Sequence, residues 1–231
     1  FEDGPGVNWS ANVNSPSGKS DLETSLDDLV EELPGTKSVS LVVSWFGDDL
    51  RCDRTTLAPR VEQKERDPVG MAWTVSGLDR LTAGQVSQSQ DRPVYGGTPT
   101  DQSVIEAISA IRSRGQEVMF YPFVLMDIQA ENGLADPWSG ADHQPVMPWR
   151  GRITLSAAPG QNGSPDGSFS ANAEVNAFFG QAQSGDFIQA GQTVTYSGPA
   201  EWSYRRFILH YAHLCALAGG VDAFCIGSEL R

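Results

Sequence analysis

The chain has 231 residues, of which 39% are hydrophobic and 9% are aromatic, so it is long and apolar enough to bury a sizeable core. Its formal net charge of −13 disfavours nucleic acid and anionic lipid as partners, because an acidic surface repels phosphate groups. No stretch approaches the ~20 apolar residues of a membrane-spanning helix, and three widely spaced cysteines do not form a disulfide framework. We therefore expect no nucleic-acid partner and no membrane insertion.

The hydrophobic pattern predicts alternating helices and strands after a polar segment. Residues 1–20, rich in Gly, Asn, Ser and Pro, are predicted to be a linker or an irregular lead-in segment. The later elements are assigned from apolar spacing, β-branched runs and the Gly or Pro residues that end them. In chain order they are a helix at 21–33, a strand at 38–46, a weak strand at 71–78, a helix at 101–114, a strand at 117–128, a helix at 200–218 and a strand at 221–230.

Residues 129–199 are predicted to form a long insertion, rich in Gly, Pro, Asn and Ser, with a short strand within 192–198. Alternating strands and helices are typical of a parallel sheet, either in a closed barrel or in an open doubly wound fold. Neither a Gly-x-Gly-x-x-Gly turn nor a phosphate loop follows the first strand, which disfavours nucleotide binding. An open α/β domain that binds another small ligand stays an alternative.

Polar side chains follow three of the predicted strands. Asp48 follows the first strand, Asp127 lies at the end of the strand at 117–128, and Ser228 and Glu229 lie at the end of the last strand. Because the carboxyl ends of parallel strands meet at one face of a barrel, where active sites lie, we expect these side chains on one rim.

Glu229 is the candidate catalytic residue of this rim. Glycosidic cleavage needs a carboxylic acid that protonates the leaving oxygen, and burial behind apolar residues would favour the protonated form of Glu229. A solvent-facing position in the following loop is the alternative. Asp127 is expected either to orient a sugar hydroxyl or to cap the next segment, and Asp48 either to join the site or to stabilise a turn.

Aromatic side chains are candidates for stacking on sugar rings. Trp45 lies in the first strand and Trp149-Arg150 lies in the polar insertion, so these residues are predicted to bind substrate, although most tryptophans pack in protein cores. His210 and His213 have a spacing that zinc ligands also use. Their apolar surroundings favour packed histidines instead, so neither a metal nor another cofactor is predicted.

Four segments of the sequence carry a family resemblance. They are SLVVSWFGDDLRC at 40–52, PFVLMDI at 122–128, PWRGRITLS at 148–156 and EWSYRRFILHYAHLCALAGGVDAFCIGSEL at 201–230. Together they resemble the TIM-barrel-like, glycoside-hydrolase-like domain of gene transfer agent and phage-tail hub (host specificity) proteins of alphaproteobacteria. The resemblance covers most of residues 36–231, and the last block is its most specific part.

This resemblance implies the N-terminal part of a (β/α)8 TIM barrel, about strands 1–4, over residues 21–231, with the insertion after strand 3. In related barrel glycosidases an Asn-Glu pair ends the fourth strand, so the resemblance implies that Glu229 is the acid/base and that Ser228, in place of Asn, contacts substrate. The nucleophile of that clan ends the seventh strand, which this chain lacks. Both ends of the sequence are therefore expected to be cuts in a longer protein, and the chain alone is expected to be inactive.

The resemblance also implies a function and partners. The expected function is to act on or bind cell-envelope glycan while the particle attaches to the cell or enters it. The protein would be made in the cytoplasm and assembled with other tail or baseplate subunits into a phage-tail-like particle. A non-catalytic carbohydrate-binding or structural tail-hub module is the alternative. Unpaired edge strands of a partial barrel further predict either self-association or shielding of those edges by the insertion and the N-terminal segment.

Overall fold

The computed structural model describes Pro5 and residues 10–227, and it is a mixed α/β fold with helices packed against a parallel sheet. The helices are α1 (Asp21–Glu32), α2 (Asp101–Ser113), α3 (Phe169–Phe179) and α4 (Tyr204–Leu217), with 3-10 turns at Arg150–Arg152 and Ser184–Asp186. The strands are β1 (Ser38–Gly47), β2 (Leu57–Ala58), β3 (Arg60–Val61), β4 (Thr74–Val75), β5 (Leu78–Asp79), β6 (Gly84–Gln85), β7 (Gln88–Ser89), β8 (Arg92–Pro93), β9 (Glu117–Met126), β10 (Phe187–Ala190), β11 (Thr193–Tyr196) and β12 (Ala223–Phe224).

The main sheet has the strand order β12-β9-β1-β2. Strands β1 and β9 are parallel neighbours from Ser38 opposite Glu117 to Gly47 opposite Met126, and β12 pairs parallel with β9 on its other side. The mixed α/β class is confirmed, but the described residues form no closed barrel. Because β2 covers the outer edge of β1 only at its last two residues, self-association through this edge stays a prediction.

The predicted strand at 71–78 does not enter the main sheet, and this prediction was wrong. Residues Thr74 to Asp79 instead form a small hairpin of β4 and β5 with a two-residue loop. Ser76 and Gly77 in that loop have φ angles of 52° and 84°, the left-handed backbone that a tight primed turn requires. The chain therefore reverses at Gly77, and β1 and β9 become direct neighbours.

Helices α2 and α4 cover one face of the sheet and form the core with it. On α2, Val104, Ile108 and Ile111 are buried at helical spacing, as the sequence predicts. On α4, Phe207 and Tyr211 pack against Trp45 of β1. The opposite face of the sheet is less covered, since Val42 is 51% exposed and Met119 is 36% exposed.

The insertion contains more regular structure than predicted. The predicted short strand at 192–198 contains β11, which pairs antiparallel with β10. Helix α3 was not predicted: the Ser168 side chain accepts a hydrogen bond from the Ala171 amide at its start, and Gly180 ends it with a φ of 73°. None of its residues is fully buried, so its sequence lacks the apolar stripe that identifies a helix.

A buried carboxylate ties the insertion to the end of β1. Asp49 accepts hydrogen bonds from the Arg51 guanidinium and from the Gln144 amide at 2.7 Å, while the Leu50 amide donates to Gln144. Burial opposes the ionisation of Asp49, but the bonds from Arg51 and Gln144 outweigh it and lower the pKa of Asp49 below its ordinary value of 3.8. Ionised Asp49 therefore stabilises the folded chain.

We expect Asp49 to contribute to acid sensitivity. Because its folded pKa is depressed, its stabilisation is fully present above the unfolded pKa and is lost as the pH falls through the folded pKa, below about 4. Asp49→Asn should reduce the loss of stability between pH 5 and pH 2, measured by urea unfolding at each pH. The exposed Asp142→Asn is the matched control. An unchanged pH dependence in Asp49→Asn would contradict this role.

Candidate functional site

The carboxyl ends of β1 and β9 lie side by side, as the parallel register requires. The Asp127 amide donates to the Gly47 carbonyl at 2.8 Å, so the segments that follow the two strands begin at the same sheet edge. On the other side of β9, the Cys225 amide donates to the Phe120 carbonyl and extends the pairing of β12. Ser228 and Glu229, the remaining rim residues predicted from the sequence, lie outside the described residues.

Asp127 lies at this edge, and its buried carboxylate accepts hydrogen bonds on both oxygens. One oxygen accepts from the Arg60 guanidinium at 2.7 Å and from the Ser87 amide at 3.0 Å, and the other accepts from the Gln129 side chain at 3.1 Å. The side chain is 0% exposed. In this arrangement Asp127 holds Arg60 and Ser87 against the end of β9.

Asp48 stabilises a turn in the structure. Its two carboxylate oxygens accept from the Thr56 amide at 2.7 Å and from the Thr56 hydroxyl at 2.6 Å. Both oxygens of Asp48 are thus engaged with the loop between β1 and β2.

Trp45 is a core residue, which corrects its assignment as a substrate-binding residue. It is 0% exposed and its ring lies 5.2 Å from the Phe207 ring and 5.6 Å from the Trp202 ring, measured between centroids. A ring enclosed by α4 on the helix side of the sheet offers no face to a sugar.

Trp149 and Arg150 form the aromatic surface of the rim. Trp149 is 53% exposed, whereas Arg150 is buried. The Arg150 guanidinium lies 3.5 Å from the centre of the Phe123 ring and 4.3 Å from that of the Trp149 ring, and it donates to the Tyr121 hydroxyl at 3.3 Å. The guanidinium is therefore held in place by stacking, while the Trp149 residue stays half exposed.

A cavity of about 340 Å³ opens beside this stack. Strand β9 contributes the residues from Phe123 to Met126, the insertion contributes Met147 to Arg150, and Tyr95 completes the wall. Burial, with a smaller effect of the Asp127 charge, raises the pKa of Tyr95, so its hydroxyl is neutral and can donate a hydrogen bond, as it does to the Met126 carbonyl. The cavity thus combines aromatic surfaces with a few polar groups.

Sequence reasoning missed Tyr95, Phe123 and Tyr121 as parts of this site. Phe123 and Tyr121 alternate along β9 on the face opposite to Phe120, so strand periodicity could have assigned them to one face. Tyr95 comes from an irregular segment with no comparable signal.

Tyr204 lies near Arg150 and Cys225, and burial raises the pKa of Tyr204 to about 12. Its hydroxyl donates a hydrogen bond to the Ile226 carbonyl at 2.7 Å.

The two histidines of α4 have separate structural partners. His210 is fully buried with its Nε2 2.9 Å from an Asp101 oxygen, whereas His213 contacts the Ser184 hydroxyl and stacks on Phe187. Within the described part of the chain, no group of three or more His, Cys, Asp or Glu side chains could hold a metal ion. No described helix is long and apolar enough to cross a membrane.

Comparison with protein families supports the expected resemblance at the C-terminal end. Residues 202–231 match the model of the GTA TIM-barrel-like domain, where GTA denotes gene transfer agent. The matched segment contains α4 and β12, so the resemblance to this domain is confirmed there. A comparison with curated protein sequences found no significant match.

Proposed function

We propose that this chain is part of a TIM-barrel-like module of a gene transfer agent particle and binds cell-envelope glycan at the rim formed by Trp149, Arg150 and Phe123. The family match over residues 202–231 supports the association with gene transfer agents. The stack of Arg150 between two aromatic rings, with Trp149 half exposed, is the observation that carries the glycan proposal.

The chemistry of this rim suits a sugar ring. The half-exposed indole of Trp149 can pack against the apolar C–H face of a pyranose, and the buried Arg150 guanidinium supports the indole from beneath. The adjoining cavity of about 340 Å³ lies near the lower end of the ~300–1,000 Å³ range of small-ligand pockets. It is large enough to accommodate a sugar unit.

The barrel itself is also a proposal. The sheet face opposite to α2 and α4 leaves Val42 and Met119 partly exposed, and the outer edge of β1 is largely unpaired among the described strands. Additional parallel strands would cover this face and pair with this edge. Closure into a (β/α)8 barrel would accomplish both.

Glu229 is proposed as the catalytic acid of the complete protein. The sequence prediction included the segment at 71–78 as a strand and therefore assigned Glu229 to the end of a fourth strand. Because that segment lies outside the main sheet, Glu229 follows the third parallel strand of the described sheet in the sequence. The strand predicted at 221–230 is described only over Ala223–Phe224, and Glu229 comes five residues later in the sequence, outside the described residues. The proposal therefore depends on the family resemblance of this segment. Its geometric requirement is a second carboxylate at ~5–5.5 Å for a retaining mechanism, or ~6.5–9.5 Å for an inverting one.

A non-catalytic glycan-binding or structural module is the second candidate. It is favoured by the internal engagement of both acids at the ends of β1 and β9, since Asp48 bonds Thr56 and Asp127 bonds Arg60. In this arrangement both carboxylates bind groups of the fold itself.

Binding to purified peptidoglycan and to surface polysaccharide, measured by co-sedimentation, tests the proposal. Trp149→Ala should weaken binding by about tenfold, the loss of roughly one aromatic stacking contact. Phe169→Ala removes an 88% exposed aromatic ring elsewhere in the insertion and should leave binding unchanged. Equal binding by Trp149→Ala and the unmodified protein would refute the glycan site.

Release of reducing sugar ends by the full-length protein separates the two candidates. If Glu229→Gln abolishes release but retains binding, the chain contributes a glycosidase acid. If neither protein releases sugar while both bind, the module is non-catalytic.

A further inference from the structure

The cavity beside Trp149 has a wall of mostly apolar groups. Residues 124–126 of β9 form one side of it, and residues 147–148 of the insertion form another. Among the described residues, no aspartate or glutamate lines this cavity, and Arg150 is the one charged residue in its wall. Because a hydroxyl group that is buried against such a wall loses its hydrogen bonds to water, a ligand that fits must turn an apolar substituent toward it.

An unsubstituted hexose does not meet this requirement. When its apolar C–H face packs on the indole of Trp149, the hydroxyl groups around the edge of the ring point into the cavity. The methyl group of an acetamido substituent is small and apolar, and it lies beside an amide that needs only a few polar partners. The shape and polarity of the cavity therefore favour an acetamido group over a hydroxyl group.

Tyr95 supplies a hydrogen-bond donor in this wall. Its hydroxyl donates to the Met126 carbonyl over 3.4 Å, which is long compared with the ~2.7–2.8 Å usual for O–H···O bonds. Burial raises the pKa of Tyr95, so the hydroxyl keeps its proton at neutral pH. A ligand carbonyl that comes closer than the Met126 carbonyl can accept this proton in a shorter bond.

The fold fixes Tyr95 at the cavity through a chain of hydrogen bonds. The Val94 amide donates to the Ser87 carbonyl at 2.9 Å, and the Ser87 amide donates to the buried Asp127 carboxylate at 3.0 Å. The Tyr95 ring also packs on the Phe46 ring, with 5.7 Å between the centroids. The donor is thus held in place before a ligand binds, which lowers the entropic cost of binding.

We infer that this cavity is a subsite for the acetamido group of an N-acetylated hexosamine, an inference that rests on the glycan proposal above. The pyranose ring packs on the half-exposed Trp149, and the acetamido methyl group contacts Met147 and Pro148. The Tyr95 hydroxyl donates to the acetamido carbonyl. The cavity then separates N-acetylated sugars from plain hexoses, which carry a hydroxyl at the same carbon.

Two trisaccharides with the same linkage test the inference by isothermal titration calorimetry. Chitotriose carries an acetamido group at C2 of each ring, and cellotriose carries a hydroxyl there. We expect chitotriose to bind about tenfold more tightly, as for one buried methyl group and one neutral hydrogen bond. Equal affinities, or no binding of chitotriose, would overturn the inference.

The same measurement distinguishes this inference from the glycan proposal. If polysaccharide binding depends on Trp149 but the two trisaccharides bind equally, the glycan rim stands and the acetamido subsite falls. If Trp149→Ala leaves polysaccharide binding unchanged, both fall.

Variants of the wall locate the preference. Tyr95→Phe removes only the hydroxyl and should reduce the preference for chitotriose about fivefold, as for one lost hydrogen bond. Met147→Gln keeps the length of the side chain but places a polar amide at the wall, so it should also weaken chitotriose binding. Met71→Gln is the matched control, because Met71 is partly exposed like Met147 but does not line this cavity. An unchanged preference in both Tyr95→Phe and Met147→Gln would place the acetamido group elsewhere and refute the subsite.

Discussion

Replacing Trp45 by alanine will lower the free energy of unfolding by about 3–5 kcal/mol, the range observed for large aromatic side chains truncated in cores. Trp45 is completely buried, and its ring contacts those of Trp202, Phe207 and Tyr211. Truncation removes these contacts and leaves a cavity between β1 and α4 that rigid neighbours fill only in part. Urea unfolding followed by circular dichroism measures the loss.

Trp149→Ala is the matched control, because it removes the same side chain from a half-exposed position. Its cost in stability should stay below ~1.5 kcal/mol, since it loses one stacking contact with Arg150 and one edge contact with Phe123. The two variants thus separate a core tryptophan from a surface one. If Trp45→Ala is no more destabilising than Trp149→Ala, Trp45 is not the core residue described above.

The two long strands were predicted from apolar, β-branched runs bounded by turn residues. In β1 the pattern also marks the buried face, because serines at 38, 40 and 44 alternate with Val39, Leu41, Val43 and Trp45. This alternation places Trp45 toward the core, although Val42 on the serine face is also apolar and is half exposed. The sequence pattern does not identify the element that encloses Trp45, which is α4, more than 150 residues later in the chain.

Asp48 and Asp127 lie at one sheet edge as predicted, whereas the positions of Ser228 and Glu229 stay predictions. Parallel strands do bring Asp48 and Asp127 to one edge, which follows from topology alone. Whether a carboxylate there is free depends on its donors, and those of Asp127 lie 67 and 40 residues away, at Arg60 and Ser87. Arg60 lies in the two-residue strand β3 and Ser87 lies between β6 and β7, in a region of short elements whose course no local pattern of the sequence indicates.

The short elements escaped prediction for a different reason. Residues 71–78 have the composition of a strand, but the Ser76-Gly77 turn reverses the chain after two residues of pairing. Helix α3 has a capping serine but no buried stripe, because it lies at the surface of the insertion. In both cases turn and cap residues carried information that hydrophobic periodicity did not.

Replacing Asp101 by alanine will lower the free energy of unfolding by about 3–5 kcal/mol, since it removes one partner of a buried polar network. Asp101 is 0% exposed. One carboxylate oxygen lies 2.9 Å from His210 Nε2, and the other accepts from the Thr193 hydroxyl at 2.6 Å and from the Val194 amide at 3.0 Å. A single side chain therefore joins α2, α4 and the hairpin of β10 and β11.

The loss should also fall unevenly over the fold. Without Asp101, the Val194 amide and the His210 ring are left buried without this acceptor, so we expect β10 and β11 to exchange their amide hydrogens faster than β1 and β9 do. Glu106→Ala is the control for the removal of a charge from α2. Glu106 is exposed on the same helix, and its side chain accepts a hydrogen bond from Gln102. A melting temperature lowered by about 10 °C in Asp101→Ala, with Glu106→Ala nearly unchanged, is the expected result. Equal stability of the two variants would mean that the hairpin is held by its apolar contacts and that the Asp101 network adds little.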